Sequence, residues 1–116
     1  MNNSPFKKAT NPLGYGNKEI WKSIDDFPDY FVSNIGRVKS TKRYINGYYL
    51  YQSNVNGYLR VCLFSKNPKH LFIHRLVGKA FIQNEVNKPF INHKNAIKHC
   101  NVVNNLEWVT EKENSV

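Results

Sequence analysis

A histidine and three asparagines near the end of the chain have side chains suited to metal-assisted hydrolysis. Asn92 and His93 end a short apolar segment, and Asn105 and Asn114 follow further along the chain. A neutral imidazole can take a proton from water near neutral pH. Amide oxygens are hard ligands of the kind that Mg²⁺ and Mn²⁺ accept. One histidine and one oxygen-bound cation are enough to cleave a phosphodiester.

The elements around these residues are predicted to form a strand–loop–strand–helix unit. Residues 90–93 and 106–109 have the pattern of short strands separated by a polar loop, and Thr110 is a plausible N-cap for the helix that follows. Such a unit can fold the end of its first strand against the start of the helix. We therefore expect His93 to lie near Asn114.

The preceding part of the chain is β-rich. Residues 30–33 and 37–40 predict two paired strands, preceded by a turn at residues 27–30. Asn-Gly pairs at 46–47 and 56–57 are typical of hairpin turns.

One strand and one helix are predicted between the hairpin turns and the strand–loop–strand–helix unit. Leu59, Val61 and Leu63 alternate with other residue types, which predicts a strand with one buried face. Residues 74–82 change to a helical period with an apolar stripe. A structural hydrogen bond is expected for His74, at the start of this helix.

The charge distribution indicates a polyanionic partner. The chain has 17 Lys and Arg against 8 Asp and Glu, a net charge of +9, and no acidic residue lies between Asp29 and Glu85. Surfaces that serve solubility alone mix both signs, so duplex DNA is the expected partner. The candidate DNA-binding residues are Arg37, Lys39, Lys42, Arg43, Arg60, Lys66 and Arg75.

Length and composition exclude several classes of protein. With 116 residues the chain is one small domain or two small lobes. It has no apolar run long enough for a membrane span and no apolar segment of a signal peptide at its start, so a cytoplasmic protein without membrane partners is expected. Cys62 and Cys100 are interpreted as ordinary thiols, and His99 with Cys100 matches no standard zinc spacing.

The C-terminal motif resembles that of HNH endonucleases of the phage and homing type. His93, Asn105 and Asn114 match the His–Asn–Asn order of that motif. Residues 19–40 resemble the DNA-binding module that often precedes such nucleases. The residues that carry this second resemblance are Trp21, Ile24, Phe27, Pro28, Asp29, Tyr30, Val32, Ser33, Asn34, Gly36, Arg37, Val38 and Ser40, with His74, Arg75, Leu76 and Val77 further on.

The resemblance implies an α+β fold, in which a small antiparallel β-sheet lobe precedes a ββα-metal unit of the HNH or His-Me finger type. It divides the chain into a flexible arm at 1–18, a β-rich DNA-binding module at 19–69 and the nuclease unit at 70–116. The implied activity is metal-dependent endonucleolytic hydrolysis of DNA, with one divalent cation, Mg²⁺ or Mn²⁺. Phage or mobile-element origin would place the protein in the host cell cytoplasm.

The resemblance also implies a role for each motif residue. His93 is the general base, Asn92 and Asn114 are the metal ligands, and Asn105 bonds across the loop to hold His93 in position. Many relatives carry Asp at position 92, so Asn92 predicts weaker metal binding.

Two further departures from the family pattern concern the loop and the end of the chain. Relatives usually have Asp-Gly-Asn where this chain has residues 95–97, and Ala96 in place of glycine predicts an altered turn, since alanine resists positive φ. The chain ends two residues after Asn114, which predicts a frayed terminal helix.

Three functions remain open from the sequence. The first is an endonuclease that nicks one strand, because one active site in a monomer cuts once. The second is a catalytically inactive DNA-binding protein derived from an HNH nuclease, and the third is an RNA-binding protein. The sequence does not fix the oligomeric state.

Overall fold

Three antiparallel sheets and two α-helices form within residues 18–43, 45 and 47–114, which the computed structural model describes. The first sheet has the sequential order β1 (Trp21–Ile24), β2 (Phe27–Ser33), β3 (Val38–Ser40) and β4 (Tyr48–Tyr49). The second sheet contains β5 (Ser53–Val55), β6 (Tyr58–Phe64) and β7 (Pro68–Phe72), and helix α1 (Ile73–Phe81) follows directly. The third sheet pairs β8 (Phe90–His93) with β9 (Leu106–Val109), and a 3₁₀ turn (Val103–Asn105) and helix α2 (Glu111–Asn114) flank β9. The predicted α+β class, an antiparallel sheet lobe followed by a ββα unit, is confirmed.

The turn predicted at residues 27–30 was wrong. The chain reverses earlier, at Asp25 and Asp26, and Asp26 has a φ of 70°. Strand β2 already begins at Phe27, and its register against β1 shifts so that Ile24 pairs with Phe27 but Ser23 pairs with Phe31. The irregularity accommodates Pro28, because proline has no N–H to donate to a neighbouring strand.

The predicted hairpin at residues 56–57 is confirmed. Val55 pairs with Tyr58, so Asn56 and Gly57 form a two-residue turn in which both residues have positive φ, 55° and 93°. This is the type of turn whose twist matches that of the flanking strands. In the other Asn-Gly pair, Asn46 lies outside the described residues.

Alternation along β6 directs one face of the second sheet into the core. Val61 and Leu63 are fully buried, whereas Arg60 and Cys62 on the opposite face are only half-buried. The opposite face of β6 and β7 also carries Phe72, which pairs with Arg60 across the ladder. The buried face that the sequence predicted is therefore present.

Helix α1 lies at the centre of the core. Ile73 and Val77 are fully buried, while a β-carbon built on Gly78 would lie 2.5 Å from Ile91 Cδ1 and 3.1 Å from Trp108. Only glycine lets the helix approach the β8–β9 hairpin this closely. Neither α1 nor α2 is long and apolar enough to cross a membrane.

One hydrophobic core joins the segments that the sequence divided at residue 69. Val32 and Val38 of the first sheet belong to the same buried cluster as Val77 of α1 and Leu106 of β9. Strand β7 itself runs across the predicted boundary. The division into modules at 19–69 and 70–116 stays a prediction, and the arm predicted at 1–18 lies outside the described residues except for Lys18.

Candidate active site

His93 ends β8 with its imidazole directed into the protein. The residue is only 6% exposed, and its Nε2 lies 2.8 Å from Oδ1 of Asn101, which is itself 4% exposed. An amide oxygen can only accept a hydrogen bond, so this contact requires that Nε2 carry the ring proton. The lone pair is then on Nδ1, which is the nitrogen able to accept a proton.

A second histidine and a tyrosine surround the ring of His93. The centroid of the His93 ring lies 5.2 Å from that of His74 and 5.9 Å from that of Tyr58. His74 and Tyr58 are also in contact with each other, with 5.2 Å between their centroids. The hydrogen bond expected for His74 is not found at its Nδ1, which is buried without a partner among the described residues.

Burial keeps both imidazoles in their neutral form. Burial and then the nearby His93 and Arg75 lower the pKa of His74 to about 4. The pKa of His93 is lowered mainly by burial and further by His99, although the hydrogen bond that His93 donates to Asn101 raises it. A neutral His93 is the form that can act as a base at neutral pH.

Asn105 closes the loop that follows His93. Its Oδ1 accepts the backbone N–H of Asn95 at 3.0 Å, and its Nδ2 donates to Asn95 Oδ1 at 3.0 Å and to the Cys100 carbonyl at 2.9 Å. Its own carbonyl accepts the N–H of Lys94 at 2.7 Å. These bonds fix the loop, whereas the imidazole of His93 donates its hydrogen bond to Asn101. Asn101 carried no sequence signal, because neither its spacing nor its neighbours distinguish it from the other asparagines of the loop.

The altered loop keeps a tight turn despite the missing glycine. Ala96 has a φ of 64°, in the left-handed region where a β-carbon is strained, and its N–H donates to the His93 carbonyl at 2.8 Å. The backbone therefore adopts at Ala96 the conformation that a glycine would adopt without strain.

The two predicted metal ligands lie on neighbouring elements. Asn92 on β8 is half-buried, and its Nδ2 donates to Glu107 Oε2 at 2.8 Å. Asn114 is exposed at the end of α2, a single turn that contacts both β8 and β9.

Helix α2 is anchored at its beginning by a capping box. Thr110 Oγ1 accepts the N–H of Glu113 at 3.1 Å, and Glu113 Oε1 accepts the N–H of Thr110 at 2.8 Å. Glu113 also pairs with Lys88 at 3.2 Å. The hydrogen bond from the Thr110 backbone, followed by that from Lys88, lowers the pKa of the Glu113 carboxyl. The helical turn that carries Asn114 is thus fixed by the hydrogen bonds of Thr110 and Glu113.

The donors available around Asn92 fit a hard divalent cation. They are the amide oxygen of Asn92 itself and the Glu107 carboxylate, and within the described part of the chain no three His, Cys, Asp or Glu side chains cluster as a metal site. Mg²⁺ keeps several waters and binds few protein groups together with substrate phosphate. A sparse oxygen set of this kind is compatible with such an ion.

The predicted DNA-binding residues differ in how far their side chains are already engaged. Arg37 forms an ion pair with Glu19, and its guanidinium lies 4.2 Å from the ring centroid of Tyr49. Lys39 lies 4.2 Å from the ring centroid of Trp21. Lys42 donates to the Phe64 carbonyl and lies 5.2 Å from the ring centroid of Tyr30. Arg75 donates to the Pro89 carbonyl and lies 5.8 Å from the ring centroid of Trp108, while Arg43 and Lys66 are exposed.

Arg60 lies on β6 two residues after Tyr58, whose ring is part of the imidazole cluster. Its Nε is buried and has no partner among the described residues. It lies on the face of the second sheet that also carries Tyr58 and Phe72, and both of these rings contact His74. A buried guanidinium nitrogen without a partner is costly unless a ligand satisfies it.

The first sheet contacts the loop that carries Asn101. The N–H of Val103 donates to the Asn34 carbonyl at 2.9 Å. A β-carbon on Gly36 would lie 2.8 Å from the β-carbon of Asn101. The turn between β2 and β3 is therefore packed directly against the residue that bonds to His93.

Comparison with known proteins agrees with the sequence resemblance. The NUMOD4 motif matches residues 19–64. Over 102 residues the chain is 43% identical to the uncharacterised HNH endonuclease L247 of Acanthamoeba polyphaga mimivirus, a match that covers 83% of this chain and 25% of that protein. Over 97 residues it is 36% identical to the DNA endonuclease I-HmuI of Bacillus phage SP01, covering 81% of this chain and 54% of the relative.

The fold agrees as well. The solved structure of the HNH homing endonuclease I-HmuI, which concerns DNA binding and cleavage, matches with a TM-score of 0.75 and 35% identity over 83% of this chain and 55% of that one. The chain spans from about a quarter to about half the length of these relatives. It is a homologue of the HNH endonucleases of the phage and homing type.

Proposed function

We propose that the protein is a metal-dependent DNA endonuclease that hydrolyses phosphodiester bonds and nicks one strand of duplex DNA in the cytoplasm of its host cell. The observation that carries the proposal is the imidazole of His93, neutral and bonded through Nε2 to Asn101. It stands at the end of β8, in a ββα unit whose relatives are HNH endonucleases.

His93 is proposed as the general base. With the proton on Nε2 held by Asn101, the Nδ1 lone pair is available to accept a proton from the attacking water. Burial lowers the pKa of His93, so that the base is unprotonated at neutral pH. Asn105 acts indirectly, because its bonds to Asn95 and Cys100 fix the loop that leaves His93.

Asn92 and Asn114 are proposed to hold one Mg²⁺ or Mn²⁺ ion through their amide oxygens. A divalent cation bound there would polarise the scissile phosphate and neutralise the charge that develops on the leaving 3′ oxygen. The capping box of α2 supports this role, because it fixes the turn that carries Asn114.

Duplex DNA is proposed to lie along the basic surface of the module at residues 19–69 and to reach the active site past Arg60. Phosphate oxygens would satisfy the unpartnered Nε of Arg60. The exposed Arg43 and Lys66 would add phosphate contacts, which position a duplex without reading its sequence. Arg37, Lys39 and Lys42 are proposed as further contacts on the same surface, and Arg75 of α1 is proposed as a contact beyond it.

The test is nicking of supercoiled plasmid in Mg²⁺ or Mn²⁺ by the native chain and by His93→Ala. We expect nicking by the native protein only, because the variant lacks the base. His70→Ala is the matched control, since His70 is an exposed histidine outside the cluster and its loss should leave nicking unchanged. Equal nicking by native protein and His93→Ala would contradict the role of His93.

A DNA-binding protein without nuclease activity is the second candidate, favoured by the 6% exposure of His93 and by the uncharged Asn92. This candidate predicts that the protein shifts the mobility of duplex DNA. It also predicts no nicking with Mg²⁺ or Mn²⁺ of plasmids that together carry many sequences. That result would contradict the endonuclease.

A further inference from the structure

Asn92 and Glu107 face each other across the β8–β9 hairpin. They are direct partners in the antiparallel register, and the Asn92 amide donates to the Glu107 carboxylate at 2.8 Å. Both residues are half-buried. The carboxylate therefore meets the amide that is proposed to bind the cation, on the same face of the hairpin.

This hydrogen bond determines how the amide is turned. A carboxylate only accepts hydrogen bonds, so it holds the NH₂ group of Asn92 and leaves the amide oxygen on the other side. An amide oxygen directed away from Glu107 is the donor that a hard cation requires. Without Glu107, rotation of the amide would offer the cation its NH₂ group as readily as its oxygen.

The carboxylate also supplies charge where Asn92 has none. The two ion pairs among the described residues use Glu19 and Glu113, so the negative charge of Glu107 is not paired with a cationic side chain there. A unit charge a few ångströms from a cation has a large effect in a half-buried setting. Glu107 thus places a negative charge beside the Asn92 amide, and an aspartate at position 92 would carry the same charge.

We infer that Glu107 is a positioning residue of the cation site: it orients the Asn92 amide oxygen and compensates in charge for the absence of an acidic residue at position 92. This inference rests on the proposed function, in which Asn92 binds the cation.

The test is Mn²⁺ affinity, measured by the loss of the free-ion electron paramagnetic resonance signal on titration of the full chain with an uncleavable DNA duplex. Glu107→Gln keeps an acceptor for the Asn92 amide but removes the charge, so we expect roughly tenfold weaker Mn²⁺ binding. Glu111→Gln is the matched control, since it removes the same charge from an exposed residue of α2. It should change the affinity less than twofold.

A second substitution separates charge from hairpin stability. In the Glu107→Gln background, Asn92→Asp should restore Mn²⁺ affinity to the native value or above it. In the native background the same change should gain little, because two adjacent carboxylates would repel each other.

The outcomes distinguish the inference from the function on which it rests. Native affinity retained by Glu107→Gln would overturn the role of Glu107 while leaving the metal-dependent endonuclease intact. A native chain that binds no Mn²⁺ with DNA present would overturn the metal site itself.

Discussion

Gly36 and Asn101 lie so close that no side chain fits between them. A β-carbon on Gly36 would lie 2.8 Å from the β-carbon of Asn101 and 3.0 Å from its carbonyl oxygen, and Gly36 has a φ of 87°. Asn101 in turn bonds to the imidazole of His93. A turn in the first sheet is thereby linked to the candidate general base through a single intervening residue.

Gly36→Ala should lower the nicking rate roughly 10- to 100-fold, because it displaces Asn101 and with it the imidazole. Gly47→Ala is the matched control. Gly47 also has positive φ, 80°, and a tight contact with the Ser40 carbonyl, but none of its close contacts belongs to the active site. Both variants should be less stable, but only Gly36→Ala should have a lower nicking rate per folded molecule. This rate is measured on plasmid DNA after the folded fraction of each variant has been determined.

Substitutions of Asn101 should move the acidic limb of the pH–rate profile in opposite directions. The hydrogen bond that His93 donates to Asn101 raises the pKa of His93, while burial lowers that pKa more strongly. Native kcat/KM should therefore fall only below the ordinary histidine pKa of about 6.5. Asn101→Asp should move this limb to higher pH and Asn101→Ala to lower pH, since a carboxylate favours the imidazolium and a methyl group does not.

The pH profile also distinguishes a role in catalysis from a role in folding. If both Asn101 variants lose activity with the acidic limb unchanged, His93 is not the group that titrates.

Ala96→Gly should stabilise the protein by about 0.5–1 kcal/mol, because glycine adopts a φ of 64° without strain. The midpoint of thermal unfolding should rise by a few degrees. Ala80→Gly makes the same chemical change inside α1, where glycine costs about 1 kcal/mol. A lower midpoint for Ala96→Gly would show that the turn is not strained by alanine.

The elements that could be predicted from the sequence are those whose hydrophobic residues repeat regularly along the chain. Leu59, Val61 and Leu63 alternate, and the helical stripe begins after Phe72, so both elements could be located from their patterns. The turn before β2 could not, because Pro28 suggests a turn and only pairing with β1 shows that a register shift accommodates it. Tertiary pairing decided where the chain reverses.

Removal of one phosphate-contacting cation should reduce the salt dependence of DNA binding. Arg60→Gln and Lys66→Gln should each lower the slope of log K against log salt by about 1, as expected for one lost phosphate contact. Lys88→Gln is the control, because its ammonium is already paired with Glu113 at 3.2 Å. A slope of log K against log salt near zero for the native chain would contradict the proposed contacts with DNA phosphates.

The lowered pKa of His74 should reduce the free energy of unfolding in mild acid. Its pKa is about 4 in the folded protein, below the ordinary value of 6.5, so the unfolded chain binds the proton first. Stability is therefore fully present above pH 6.5 and falls as the pH drops from 6.5 towards 4. Urea unfolding at several pH values should show a shallower loss for His74→Phe than for the native chain, and equal losses would contradict the shift.

The sequence predicted the motif residues but not their local partners. His93, Asn105 and Asn114 follow a recognisable order, whereas Asn101 lies in an irregular loop without a period. The contact between Asn92 and Glu107 depends on the register of β8 against β9, which their separate patterns leave undetermined. Side-chain partners across a loop or a hairpin became visible only with the tertiary structure.

The single core has a consequence for how such proteins can recombine. Val32 and Val38 are buried with Val77 and Leu106, and the Asn34 carbonyl bonds to Val103. A graft that joined the ββα unit of β8, β9 and α2 to a foreign module would expose these apolar faces and remove the support behind Asn101. Viable chimaeras should therefore carry the β2–β3 turn and its facing core residues together with the ββα unit.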